Sequence, residues 1–267
     1  MGSLWPRCAE IVADGCACGC GLLGRSPSRA FQNGTIRILD AVTSRSRKHP
    51  DVTRKRENVK RRDPIESSRK ILLSGMKHFA RYGLGGARVV DIIKDAGLSH
   101  RMLYHYYENK EALYLATLEF AYKQIRDAEL SLHISSLEPV DGMRRIVEFT
   151  FDYFVDHPEF MALLSQENLN GGKFISQLQH FKDVQRPLVD GLRDLFERGK
   201  STGRFRKVYD PVHFYISLSG LCYFAISNRF TLAAAFDESI MSESFIEERR
   251  AHITAFVMQA VLETTGE

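Results

Sequence analysis

Apolar residues recur at the three- and four-residue spacing of an amphipathic α-helix through most of the chain after residue 62. The clearest run occupies positions i, i+3, i+4, i+7, i+8, i+11 and i+12 of one segment, namely Met143, Ile146, Val147, Thr150, Phe151, Phe154 and Val155. No segment shows the alternation of a half-buried β-strand. The sequence therefore predicts an all-α fold of about nine helices.

Charge is divided unevenly along the 267 residues. Residues 1–113 hold 21 Lys and Arg against 11 Asp and Glu, a net +10, whereas residues 114–267 hold 16 against 22, a net −6. A basic N-terminal part favours contact with a polyanion, and nucleic acid is the polyanion we expect.

Residues 1–62 lack helical or strand periodicity and are rich in Gly, Ser, Arg and Cys, so we expect a disordered basic leader. Residues 45–70 hold eleven basic residues against four acidic ones. Two interpretations stay open for this stretch. It is either a solvated charged tail or a flexible arm that contacts DNA phosphates or the minor groove.

The segment after the leader predicts a helix, a tight turn and another helix. Asp63-Pro64 has the residues of a helix start, and the glycines from Gly83 onward should end this first helix. A second helix is expected over residues 89–96, and Gly97 permits the bend that follows it. Ser99 is placed to cap a third helix that runs to about Tyr107.

A helix that reads the major groove needs exposed polar and aromatic side chains near its N-terminus. In the third helix, Leu103 and Tyr107 can anchor the inner face. The residues then available to DNA are His100, Arg101, Tyr104 and His105, together with Lys110. Arg101 suits a guanine edge and the histidines suit bases or phosphate, while Tyr104 and Lys110 suit phosphate. The alternative is that the tyrosines only cover the domain core and the histidines face solvent.

Prolines and capping residues also mark where later helices should begin and end. His157-Pro158 predicts a break between helices, and Pro187 either kinks a helix or begins a new one. Asp210-Pro211 opens an apolar stretch to Phe236 that we expect to form one helix buried on all sides. A last helix is expected over residues 243–264.

From Ser68 to Leu113 the sequence resembles the TetR family of bacterial transcriptional regulators. The matching positions are Phe79, Gly83, Asp91-Ile92, Ala96-Gly97-Leu98-Ser99, Leu103-Tyr104, Tyr107 and Lys110-Glu111-Ala112-Leu113. Three positions depart from the family pattern. Arg88 replaces the usual Ser or Thr cap, Ile93 replaces a small residue, and Arg101-Met102 replaces Gly-Thr. We therefore add Arg88 to the candidate DNA contacts, and Ser99 is a candidate contact as well.

The resemblance implies a three-helix DNA-binding domain over residues 63–109 and a helical effector-binding and dimerisation domain over residues 110–267. It also implies a homodimer formed through the last two long helices and a small-molecule effector. An effector pocket should combine apolar walls with a few polar groups, and its candidate lining is Phe154, Phe160, Asn168, Tyr215 and Tyr223. The alternative for each of these residues is ordinary core packing.

The favoured hypothesis is a cytoplasmic, nucleoid-associated repressor that binds palindromic operator DNA and is released by its effector. The alternative is a sequence-nonspecific nucleoid-type or adaptor protein that relies on the basic arm. An enzyme is the least favoured class, because no catalytic motif is present. We expect no cofactor, no metal site and no membrane partner: Cys16, Cys18 and Cys20 lack a histidine partner, and residues 214–227 are too short an apolar run to span a bilayer.

Overall fold

The computed structural model describes residues 63–262, which form ten α-helices joined by short loops. They are α1 (Pro64–Gly86), α2 (Val89–Ala96), α3 (His100–Tyr106), α4 (Lys110–Leu130), α5 (Pro139–Asp156), α6 (Pro158–Leu169), α7 (Phe181–Ser201), α8 (Pro211–Ser227), α9 (Arg229–Phe236) and α10 (Glu243–Val261). Single 3-10 turns occupy Ile134–Ser136 and Ile175–Gln177. Extended pairing within the described part is limited to one isolated bridge, between Phe205 and Leu262. The all-α prediction is confirmed.

The helix starts follow their capping residues. The Asp63 carboxylate accepts a hydrogen bond from the Ile65 amide at 2.9 Å, and the Asn109 side chain accepts one from the Ala112 amide at 2.8 Å. Asp210 likewise accepts from two amides at the start of α8. These bonds satisfy donors that the first helical turn leaves without intrahelical partners.

Helix α1 packs against α2 and α3 on one side and against α4 and α6 on the other. Its regular path is interrupted at Gly83, whose φ of 65° and ψ of 176° lie outside the helical region, and one further turn then reaches Gly86. The predicted stop near Gly83 is therefore a break within α1 and not its end. A side chain at this position would be strained, because L-residues rarely adopt that backbone conformation.

Helices α4–α10 form a bundle around α5, and their buried residues are continuous with those of α1–α3. The predicted inward run on α5 is confirmed, since Met143, Ile146, Val147, Thr150, Phe151 and Phe154 are all buried. Helix α5 packs against α7, α8 and α10, and α4 links this bundle to α1. Because α1 and α4 are in direct contact, the N-terminal helices are attached to the bundle by packing as well as by the chain.

Four predictions about segments need correction. The described part contains ten helices and not about nine, and the last helix ends at Val261. Of the two alternatives at Pro187, the start of a new helix is wrong, because α7 runs through this proline. The stretch from residue 211 to 236 forms two helices, α8 and α9. It is not buried on all sides, because Ile216, Phe224, Phe230 and Phe236 are more than half exposed.

Residues 1–62, which include the predicted disordered leader and most of its basic arm, lie outside the described residues. The end of the predicted arm, residues 64–70, forms the start of α1, so the flexible interpretation is wrong for that part. Within residues 63–262, no helix combines the length and apolar character that crossing a bilayer requires.

Helix α7 offers a test of how tightly the bundle is packed. A methyl group added at Gly199 would overlap the Phe205 ring, whereas one added at Gly191 would meet Ile134 at an ordinary 3.6 Å. We expect Gly199→Ala to lower the free energy of unfolding by about 1–3 kcal/mol through overpacking. Gly191→Ala should instead raise it by about 0.5–1 kcal/mol through helix propensity. Urea titrations of both variants would measure this difference, and equal effects would show that Phe205 moves freely.

Candidate DNA interface and effector site

The turn between α2 and α3 depends on one glycine. Gly97 adopts the left-handed conformation, with φ 66° and ψ 32°, and its amide donates to the Lys94 carbonyl. The next amide, of Leu98, reaches back to the Ile93 carbonyl at 3.1 Å. This double closure ends α2 as Schellman-type caps do. Helix α3 begins at His100, two residues after Leu98, and a helix-turn-helix requires such a tight turn.

The inner face of helix α3 is held by buried side chains and by a contact with α1. Leu103 is fully buried and Tyr107 is 8% exposed, as the sequence predicted for the two inner anchors. The Tyr107 hydroxyl lies 3.0 Å from the Ser68 hydroxyl on α1. On α2, the Ile92 carbonyl accepts a hydrogen bond from the Ser74 hydroxyl of α1 at 2.8 Å. Polar bonds to α1 therefore fix both helices of the motif.

The outer face of α3 carries the candidate DNA contacts. His100, Arg101, Tyr104 and His105 are all exposed, and the ring of Tyr104 is stacked on that of His100 with centroids 6.5 Å apart. Exposure on one helix face is what groove reading requires. The structure therefore brings these four predicted residues together.

The other three DNA candidates border this face. Arg88 precedes α2 and lies 3.9 Å from the Asp91 carboxylate, with most of its side chain exposed. The Lys110 ammonium donates to the Gly85 carbonyl at 3.3 Å. Ser99 has the extended backbone of an N-cap, but its side chain accepts no capping bond, so the predicted hydroxyl cap of α3 is wrong. The exposed Ser99 hydroxyl remains a candidate phosphate donor.

The candidate effector residues are only partly assembled in the bundle. Phe154 and Phe160 are buried with their rings 6.3 Å apart. The hydroxyl of Tyr223 is hydrogen-bonded to Ser165 of α6. Asn168 stands apart, because it is exposed and its amide donates to the Leu164 carbonyl of its own helix.

A buried ion pair lies beside these residues. Arg126 and Glu129, one turn apart on α4, have side chains that are each 5% exposed, and Arg126 Nη2 lies 3.0 Å from Glu129 Oε1. The same Nη2 donates to the Tyr215 hydroxyl at 3.0 Å. Sequence reasoning missed this pair, because an Arg and a Glu three residues apart on a helix normally form a solvated ion pair.

Burial shifts the titration of this core. It raises the pKa of Glu129 from 4.5 to about 7, although the nearby Arg126 opposes the shift. It also raises the pKa of Tyr153 to about 12, with a further contribution from the Glu129 charge. The pKa of Tyr122 is raised as well, first by burial and then by Tyr215. These shifts show that the guanidinium and the carboxylate lie in a low-dielectric environment.

A second buried carboxylate joins the bundle to α1. Glu167, at the end of α6, accepts hydrogen bonds from the Phe174 and Ile175 amides at 2.7 and 2.9 Å and from the Tyr114 hydroxyl at 3.2 Å. The Tyr114 ring in turn meets the Phe79 ring of α1 edge-on at 5.0 Å. Helices α1, α4 and α6 are thus connected directly below the recognition helix.

Metal chemistry has no support in this part of the chain. Among the residues that the structure describes, no three His, Cys, Asp or Glu side chains come close enough to hold a metal ion. Cys222 is buried, and burial raises the pKa of its thiol to about 12. That thiol is consequently a poor nucleophile.

A braced recognition helix followed by a helical bundle defines a helix-turn-helix transcriptional regulator. Residues 71–117 match the family described as bacterial regulatory proteins, tetR family, and residues 139–257 match the tetracyclin repressor-like C-terminal domain. NicS of Pseudomonas putida, an HTH-type transcriptional repressor, is 35% identical over 164 residues, which are 61% of this chain and 77% of NicS. The chain belongs to the TetR family. It is a DNA-binding transcriptional regulator, a class that acts by binding and not by catalysis.

Further comparisons agree with this assignment. The regulator RutR of Escherichia coli is 26% identical over 158 residues, 58% of this chain and 71% of RutR. A transcriptional regulator of Streptomyces coelicolor has a similar structure, with a TM-score of 0.54 and 24% identity over 73% of this chain and 98% of its own. A TetR family regulator of Marinobacter aquaeolei has a TM-score of 0.55 and 22% identity over 75% and 97%. At these identities the solved structures support the fold alone.

The raised pKa of Glu129 predicts a pH-dependent stability. Between pH 4.5 and about 7 the folded protein holds a proton that the unfolded chain releases, so stability falls as pH rises through this window. The side chain introduced by Glu129→Gln cannot titrate. The free energy of unfolding of this variant, relative to that of the wild type, should therefore rise by up to about 3 kcal/mol from pH 4.5 to 8. Urea unfolding at both pH values measures the difference. Asp127→Asn, at an exposed carboxylate on the same helix, is the control and should show no such trend.

Proposed function

We propose that the chain is a ligand-responsive repressor. It binds a palindromic operator in the cytoplasm as a homodimer and releases it when a small molecule enters the α4–α10 bundle. The observation that carries this proposal is the outer face of α3, where four polar and aromatic side chains are exposed while Leu103 and Tyr107 hold the inner face. Relatives named as repressors support the direction of regulation.

Helix α3 would lie in the major groove, with its N-terminal residues against the base edges. Arg101 is the residue suited to a guanine, because a guanidinium can donate to O6 and N7 together. Tyr104, Lys110 and Arg88 would donate to phosphates, which fix the position on the duplex without reading sequence. The N-terminus of α2 adds a partial positive charge beside Arg88.

A second copy of the chain would cover the exposed stripe on α8. Val212, Ile216, Gly220 and Phe224 recur every four residues and are all exposed, and a Cβ added at Gly220 would meet no atom within 4 Å. Phe256 of α10 is a further exposed apolar side chain. Because large apolar side chains are costly to leave in water, this face suits a symmetric contact between two subunits.

Release would follow from the direct packing of α1 on the effector bundle. A ligand that displaces α4 or α6 acts on α1 through Tyr114 and Glu167 and at the Gly83 break, where a Cβ would lie 3.1 Å from the Gln166 side chain. Two recognition helices must stand about 34 Å apart to enter successive major grooves. A coupling of about 1–3 kcal/mol between the sites would lower operator affinity about 5- to 150-fold.

Arg101 and Tyr104 give the direct test of DNA reading. Arg101→Ala should weaken specific operator binding about 5- to 150-fold, because one bidentate base contact contributes about 1–3 kcal/mol. Tyr104→Phe should weaken it about 2- to 10-fold through the loss of one hydrogen bond. Mobility-shift titration in excess competitor DNA measures both effects.

The matched control is Arg193→Ala, which removes an exposed arginine of α7 far along the chain. It should leave operator affinity unchanged. Equal affinity of Arg101→Ala and wild type would remove α3 from the interface. Loss of all sequence preference under competitor DNA would instead favour the nonspecific alternative.

The subunit contact is tested on α8. Ile216→Glu and Phe224→Glu should convert the dimer to a monomer in sedimentation velocity at micromolar concentration, because each places an unpaired charge in an apolar contact. Leu169→Glu is the control, at an apolar residue of α6 that is 85% exposed. A dimer that survives both α8 substitutions would place the subunit contact elsewhere.

A further inference from the structure

Several buried polar atoms in the core of the α4–α10 bundle have no hydrogen-bond partner within the described part of the chain. Arg126 contributes Nε and Nη1, Glu129 contributes both carboxylate oxygens, Gln185 contributes Nε2, and Ser219 contributes its hydroxyl. Arg126 is only 4% exposed and Glu129 only 6%. Arg126 Nη2 and Glu129 lie within ion-pair distance but not in hydrogen-bond alignment. A buried charge in this condition is costly to maintain, so it calls for a functional explanation.

The helical spacing places Gln185 on the side of α7 that packs against α4. Residues four apart on a helix share a face. Gln185 follows Phe181 by four residues, and the Phe181 ring meets the Tyr122 ring at 4.8 Å. Tyr122 precedes Arg126 by the same spacing on α4, so the helical spacing puts Arg126 and Gln185 on the faces through which α4 and α7 pack together.

Ser219 lies one turn from Tyr215 on α8. It follows Tyr215 by four residues, and the Tyr215 hydroxyl accepts a hydrogen bond from Arg126 at 3.0 Å. The Arg126 guanidinium also lies over the Tyr215 ring, 5.4 Å from its centroid. Glu129 of α4 and Tyr215 of α8 therefore contact the guanidinium, and the helical spacing favours Gln185 and Ser219 as its further neighbours. We call Arg126, Glu129, Gln185, Tyr215 and Ser219 the Arg126 cluster.

Aromatic rings surround the Arg126 cluster. The Phe160 ring meets Tyr122 at 5.5 Å and Tyr153 at 5.9 Å, both edge-on. Tyr153 is close enough to Glu129 for that carboxylate to affect its pKa. Rings packed edge-to-face favour a flat apolar guest, because offset and edge-on contacts are the stable arrangements of aromatic pairs.

We propose that the Arg126 cluster anchors the effector, and that the effector is a small aromatic monocarboxylate whose carboxylate pairs with the Arg126 guanidinium. The inference rests on the ligand-responsive function proposed above and assigns the chemical class of its ligand. Gln185 Nε2 and the Ser219 hydroxyl supply further donors for the carboxylate or for a polar ring substituent.

The charge of the site selects a carboxylate of single charge. A carboxylate accepts paired N–H groups from a guanidinium in one plane, which a neutral ligand does less strongly. Glu129 lies 3.0 Å from the same guanidinium, so a dianion such as phosphate would meet an adjacent carboxylate. Because burial raises the pKa of Glu129 to about 7, this group can take up a proton near neutral pH and leave Arg126 to the ligand.

The first part of α7 forms the most loosely held wall. Helix α7 has no buried residue before Leu188, and Pro187 lies inside the helix without an N–H to donate. Movement of Phe181 and Gln185 would therefore open a path to Arg126 with little loss of core packing. On the opposite side, α4 carries the effect of binding to Tyr114 and α1.

The experiment is isothermal titration of the full-length dimer with benzoate, 4-hydroxybenzoate and phenylacetate, each compared with its own carboxamide. We expect the acids to bind at least tenfold more tightly than the matched amides. Arg126→Lys should weaken binding of the acids at least tenfold and leave the amides unchanged, because the ammonium keeps the charge but loses the planar fork. Arg198→Lys is the control, at a partly buried arginine that donates to the Leu137 and Ile134 carbonyls, and it should bind as wild type does.

Equal binding of acids and amides overturns the inference, and so does the absence of binding by every acid. Wild-type affinity in Arg126→Lys also overturns it. If circular dichroism shows that Arg126→Lys is unfolded, the inference is tested instead by ligand binding to Gln185→Ala and by the ratio of acid affinity to amide affinity in the wild type. Operator binding is measured on the same preparations. If the protein binds its operator specifically but only neutral compounds release it, the proposed function stands and the anion site is refuted. Failure of specific operator binding refutes the proposed function separately.

Discussion

The packing of α1 between two sets of helices is the interaction on which the rest of the structure depends. Ile71 and Phe79 are fully buried, and the Phe79 ring meets Tyr114 of α4 while the opposite side of the helix supports α2 and α3. One helix therefore stabilises the DNA-binding motif and closes the bundle. Because the buried residues of the motif and of the bundle form one continuous core, a change of packing in one part alters the surface against which the other packs.

The helix-turn-helix was predictable from sequence because local rules determine it. Gly97 provides the left-handed turn, Asn109 caps α4, and Leu103 with Tyr107 forms the buried apolar face of the α3 segment. None of these features depends on residues far along the chain. Helix α2 accordingly has the predicted bounds, and the break in α1 lies at the expected glycine.

Features that depend on tertiary partners were not predictable in this way. Ser99 occupies the N-cap position without making the capping bond, and the spacing of Arg126 and Glu129 is that of an ordinary surface ion pair. Periodicity also indicated that the stretch from residue 211 to 236 is apolar all round, but not that several of its large apolar side chains, such as Ile216 and Phe224, lie exposed on this chain. Asn168 sits at the expected helix end, yet it faces solvent.

The ion pair inside α4 also restricts how a regulator of this kind can diverge. Replacing Arg126 alone leaves a carboxylate in an apolar interior, and replacing Glu129 alone leaves a guanidinium there without its counter-ion. Each single change passes through a less stable protein, whereas a joint replacement by apolar residues is tolerated more readily. Positions 126 and 129 should therefore change together among descendants of this chain, or the pair should be inherited intact while the surrounding rings vary.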